Sequence, residues 1–136
     1  MKVFISVPMS GRTDKDVSIE IEQIKKIFMM YISDTNPGET VEFVDTYIQD
    51  DAPDICVTEP IWYLGESIKI LSTCDAVLFA PGYHKARGCN IEHEVTKVYG
   101  LTFYNLQTDY NTKCRIAKHK YINGRLQSEP KWIRDL

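Results

Sequence analysis

A chain of 136 residues with 43% hydrophobic and 26% charged residues has the make-up of one globular domain, residues 1–136, large enough for a core without covalent staples. A formal net charge of -3 withholds the basic face that a nucleic-acid grip needs, and no apolar run approaches the ~20 residues of a membrane span. Neither nucleic acid nor membrane is an expected partner.

The chain opens on Lys2–Val7 (KVFISV), a β-rich run with no signal-peptide apolar region before it, which predicts a first strand and a cytoplasmic protein. Pro8-Met9-Ser10-Gly11-Arg12 follows as a turn whose glycine, hydroxyl and backbone N–H groups suit an anion. It is neither GxGxxG nor a P-loop, so dinucleotide and Walker readings fail on the residues. Thr13-Asp14 supplies an N-cap. Val17, Ile21, Ile24, Ile27 and Phe28 then form a helical stripe that Asn36-Pro37-Gly38 ends. Val41–Val44 is a second strand candidate, and Asp45–Val57, with Asp50-Asp51 and Pro53-Asp54, reads as a solvated loop. Thr58-Glu59-Pro60 starts a helix with Ile61, Leu64, Ile68 and Leu71 on its apolar face; Trp62 and Tyr63 at its start suit a pocket, an oligomer contact or plain packing equally.

The stretch Cys74–Gly100 (CDAVLFAPGYHKARGCNIEHEVTKVYG) is the most informative. Ala76–Ala80 is too short for a helix and uniformly apolar, as in a parallel strand buried on both faces. Pro81-Gly82 breaks it, a polar loop runs to Arg87, and Gly88 leads into a helix whose apolar stripe is expected at Ile91, Val95 and Val98. Glu92 is expected in the first turn of that helix, ionised by the helix dipole. Leu101–Leu106 makes a fourth strand. This β-α-β-α-β-α-β order implies a mainly parallel sheet of four to five strands with helices on both faces, and such sheets bind ligands at strand-to-helix loops. Residues 106–136 read as a C-terminal extension available for an oligomer contact, with a short helix at Lys113–Lys120 and a hairpin turn at Asn123-Gly124.

Asp75 and Glu92 bracket this unit. Paired carboxylates flanking a sugar suit glycosidic-bond chemistry, one at C1′ and the other at the leaving group. The residues equally allow Asp75 to cap a turn and Glu92 to pair with a surface cation. Cys56, Cys74, Cys89 and Cys114 show no CxxC or Cys/His spacing and read as free thiols. Cys74 and Cys89 flank the loop but lack a histidine partner that the sequence can place, so a small buried residue is the better reading of each. No metal site is visible.

The fragments FISVPMSGR, STCDAVLFAPGY and ARGCNIEHEVTKVYG, spanning roughly Lys2 to Leu106, together resemble the nucleoside 2-deoxyribosyltransferase superfamily, above all its small phage and prophage members. The resemblance implies a flavodoxin-like, Rossmann-like three-layer sandwich and a homo-oligomer, a dimer or larger. It implies an enzyme of N-glycosidic bonds acting on a nucleoside or nucleoside 5′-monophosphate, with no cofactor. Glu92 would be the nucleophile at C1′, Asp75 would assist the departing base, and Pro8, Met9, Ser10 and Gly11 would hold the sugar or a 5′-phosphate. Tyr83 and His84 are candidates for stacking on the base, Arg87 for a phosphate, and Gly88 is the motif glycine. Two departures, Ala86 in place of an acid or hydroxyl and Phe4 in place of a tyrosine, favour the alternative of a catalytically silent nucleotide-binding or sensing domain.

Overall fold

A computed structural model describes residues 1–44, 46, 48, 50–108 and 113–133. Along the chain come β1 (Lys2–Ser6), α1 (Asp14–Thr35), β2 (Glu42–Phe43), α2 (Glu59–Leu71), β3 (Ala76–Phe79), a 3-10 turn (Tyr83–Lys85), α3 (Arg87–Val98), β4 (Thr102–Thr108), β5 (Cys114–Ile122) and β6 (Arg125–Ile133). The fold is α/β, with one six-stranded sheet in the order β2-β1-β3-β4-β5-β6. The first four strands pair in parallel, and β5 and β6 add antiparallel to the β4 edge. The sheet is therefore larger than four to five strands, and mixed.

Alternation along the strands divides the core between the two faces of the sheet. Val3 and Ile5 of β1, Leu78 of β3 and Tyr104 and Leu106 of β4 meet the α1 stripe of Val17, Ile24, Ile27, Phe28, Tyr31 and Ile32. On the other face Phe4, Val77, Phe79 and Phe103 pack with Leu71 of α2 and Cys74. Burial on both faces is why Ala76–Ala80 shows no polar interruption. Helix α1 starts where Thr13 Oγ1 accepts the Asp16 N–H at 3.1 Å, with Asp14 and Asp16 at the positive end of the dipole. It stops at Asn36, whose N–H reaches Ile32 O at 2.8 Å. Among the described residues no helix is long and apolar enough to cross a membrane.

Three local expectations change. Val41–Val44 pairs as a strand only at Glu42–Phe43. Lys113–Lys120 is not helical: Cys114–Ile122 is strand β5, with Cys114 and Ile116 buried and Arg115 between them half-buried. Its lysines obscure the period of two, because Lys118 and Lys120 follow Ile116 on the α1 side, where Lys120 pairs with Glu129 at 3.5 Å. Its hairpin with β6 turns at Asn123 and Gly124, both at positive φ (52° and 74°), as expected for that dipeptide. Helix α3 is rolled relative to its apolar stripe: Cys89, Glu92 and Thr96 face inward, while Ile91 and Val98 are 45% and 69% exposed.

Phe28 is fully buried, with its ring 4.9 Å from that of Tyr104. Phe28→Ala should cost about 3–5 kcal/mol in denaturant unfolding; a loss below about 1 kcal/mol would contradict this packing.

Candidate functional site

Parallel strands of an open α/β sheet bind ligands beyond their carboxyl ends. Here Ser6, Phe79 and Asn105 form one row across β1, β3 and β4 near that end. From Ser6 the chain passes through buried Val7 to Pro8–Arg12. From Phe79 it passes through Pro81-Gly82 and the 3-10 turn into α3. Both loops leave the sheet on the same edge.

Glu92 reaches under α3 to this edge. It is 7% exposed, and its Oε1 accepts a hydrogen bond from Ser6 Oγ at 3.2 Å. Because α3 begins at Arg87, Glu92 lies in the second turn rather than the first, where the dipole contributes little. Burial pushes its pKa from 4.5 to about 7, against the smaller lowering effect of the Ser6 hydroxyl. Burial thus moves the Glu92 carboxyl toward neutrality, opposite to the ionisation expected from a place in the first turn. Cys89, one turn earlier, is buried too, and desolvation lifts its thiol to about 11. It is a protonated packing residue, as is buried Cys74, whose pKa burial also raises.

Asp75 is not part of this site. Its carboxylate accepts the Lys2 N–H at 2.7 Å, its own N–H donates to Lys2 O at 2.8 Å, and it is exposed. It precedes β3, whereas the ligand edge follows β3. Four residues of strand, roughly 13 Å, separate Asp75 from Phe79. Asp75 closes the entry of β3 against β1 and cannot share a sugar with Glu92, so the paired-carboxylate arrangement is absent.

The remaining candidates divide. Pro8, Met9, Ser10 and Gly11 begin two residues after Ser6. Their loop is held by Arg12, whose guanidinium donates to Pro8 O and to Glu20 Oε1, both at 2.9 Å. Gly11 sits at φ 74°, a left-handed turn position suited to glycine. Arg87 opens α3 and is exposed. A Cβ added at Gly88 would meet no atom within 4 Å, so this turn of the helix borders open space. Ala86 makes no side-chain cap.

Tyr83 belongs to the opposite flank of α3. Its ring stacks on His93 at 4.9 Å, and His93 in turn contacts Phe79 and Phe103. Helix α3 thus lies over β3 with Glu92 turned toward β1 and His93 toward β4. Ser6, the hydrogen-bond partner of Glu92, is the residue of this candidate site that sequence reading missed. The alternation of KVFISV does place it with Phe4 on the α3 face, at the strand's carboxyl end.

Among the described residues no cluster of three or more His, Cys, Asp or Glu side chains is placed to hold a metal. No family model, curated protein or solved structure matches the chain.

A rise from 4.5 to about 7 corresponds to about 3 kcal/mol. The folded state binds this proton more tightly than the unfolded one. The Glu92 contribution is therefore most favourable below pH 4.5 and is lost as pH rises through 7. Glu92→Gln should gain about 2–3 kcal/mol over the parent at pH 8 relative to pH 5 in urea unfolding, whereas parallel pH profiles would contradict a buried, shifted carboxyl.

Proposed function

We propose that the chain is an enzyme of N-glycosidic bonds, acting on a nucleoside or nucleoside 5′-monophosphate through Glu92 as its one reacting carboxyl. The observation that carries this reading is Glu92 itself. A desolvated side chain with a pKa of about 7, hydrogen-bonded by Ser6 at the carboxyl ends of parallel strands, costs stability and so is a candidate for function. As the carboxylate it attacks C1′. The C1′–O bond forms while the C1′–N bond breaks, and the electron pair leaves with the base. With Asp75 elsewhere, the base takes its proton from water. Water or a second base then attacks C1′ and frees Glu92, giving hydrolysis or transfer.

Pro8–Gly11, Arg87 and Gly88 leave the sheet on the same edge and would meet the sugar or a 5′-phosphate. The strand order and the two-sided core support the finer reading of the fold as a flavodoxin-like three-layer sandwich. Ile61 on α2, and Ile91, Val98 and Tyr99 on and beside α3, are exposed apolar side chains that support a homo-oligomer.

The second reading, a silent nucleotide-binding domain on the same fold, draws support from the place of Asp75, which is tied to Lys2 at the other end of β3 from Glu92. Incubation with a panel of nucleosides and 5′-nucleotides, scored for free base, separates the two. The enzyme reading expects base release that rises with pH to a plateau above about pH 7, as Glu92 ionises, and that vanishes in Glu92→Ala. Nucleotide-induced thermal stabilisation without base release would select the binding domain instead.

A further inference from the structure

A glutamate side chain turns about three bonds, and a reacting carboxylate must be held to within about half an ångström of its productive place. For Glu92 the hold comes from β1. Ser6 is 1% exposed, and its backbone is fixed against β3, where Ser6 O accepts the Ala80 N–H at 2.9 Å. Its hydroxyl therefore starts from a rigid strand when it donates to Glu92 Oε1 at 3.2 Å. The two carboxylate oxygens are not equivalent. Ser6 holds Oε1, whereas Oε2 makes no hydrogen bond among the described residues. Among those residues, Asn105 Oδ1 is the one fully buried side-chain oxygen or nitrogen without a partner. Oε2 of Glu92 is thus not fully buried, and it is the oxygen that still meets solvent.

We infer that Ser6 is the positioning residue of Glu92: it anchors Oε1 and leaves Oε2 as the oxygen that bonds to C1′. The inference rests on the N-glycosidic reading above. In the first step the C1′–Oε2 bond forms as the C1′–N bond breaks, and the electron pair leaves with the base. Oε1 becomes the carbonyl oxygen of the glycosyl ester and still accepts from Ser6. When water or a second base attacks C1′, the pair of the C1′–Oε2 bond returns to the carboxylate, which the same hydroxyl stabilises. Ser6 keeps its proton throughout and touches neither sugar nor base. Burial and Ser6 are the two effects on the Glu92 pKa, so the anchor is this hydroxyl rather than a neighbouring charge. Cys89, also within the influence of Ser6, titrates only near 11 and stays a thiol over the range tested.

Base release by the full chain at about pH 9.5, where Glu92 is ionised with or without its anchor, tests the inference beside a carbon-13 titration of the Glu92 carboxyl. Ser6→Ala should lower kcat about tenfold or more with KM changed less than roughly twofold. It should also raise the Glu92 midpoint by about one pH unit. Ser6→Thr, which keeps the hydroxyl, should recover both. A crystal structure of the chain trapped with a 2-deoxy-2-fluoro nucleoside should show C1′ on the oxygen away from Ser6. The parent chain decides the enzyme reading separately: no base release from it defeats that reading and this inference together. With an active parent, an unchanged kcat in Ser6→Ala, an unmoved midpoint, or C1′ bonded to the oxygen that Ser6 holds would each overturn the inference alone.

Discussion

A carboxyl group can be buried beneath a helix only where something polar meets it, and here the last residue of β1 supplies that partner. The bond from Ser6 Oγ to Glu92 Oε1 joins residues 86 positions apart. It exists because β1 and β3 pair in a register that sets Ser6 beside Phe79, directly below α3. That register rests in turn on the α1 core, where Phe28, Tyr31 and Tyr104 lock one face of the sheet. A one-residue slip of β1 would turn Ser6 toward α1 and leave Glu92 facing a hydrophobic side chain.

Helix α3 is arranged against the usual amphipathic sense, and this shapes both flanks of the edge. Its inner face carries Cys89, Glu92 and Thr96, whereas Ile91 and Val98 point outward. The inner polar groups are met locally, since the Thr96 hydroxyl donates to Glu92 O at 2.7 Å. His93 is enclosed by the rings of Phe79, Tyr83 and Phe103. What stays unfavourable is the charge on Glu92, which desolvation opposes and one hydroxyl only partly offsets. On the β4 flank the Asn105 amide oxygen has no hydrogen-bond partner among the described residues.

Much of the fold was legible because local signals and tertiary packing agree. Thr13 caps α1 as its sequence suggests, the Ala76–Ala80 run is a strand buried on both faces, and Asn123-Gly124 turns a hairpin. Strand β5 was obscured because lysines occupy alternate positions after Ile116 and imitate a basic helix. The roll of α3 was hidden for a related reason: hydrophobicity marks the inward face only when the inward residues are apolar, and here they are not.

The site was legible in part. Glu92 stood out as an acid at a strand-to-helix junction, but its pKa depends on burial that no sequence pattern reports. Asp75 lies at the far end of β3 from Glu92, because a residue preceding a parallel strand sits at the opposite end from one following it. Ser6, Asn105 and His119 meet their hydrogen-bond partners on other strands or helices, and those pairings arise only from the sheet's register. The central claim is that Glu92 is a buried carboxyl poised near neutrality. Carbon-13 NMR titration of the Glu92 side-chain carboxyl tests it most directly: the structure predicts a midpoint near pH 7, and a midpoint in the ordinary carboxylate range near 4.5 would contradict it.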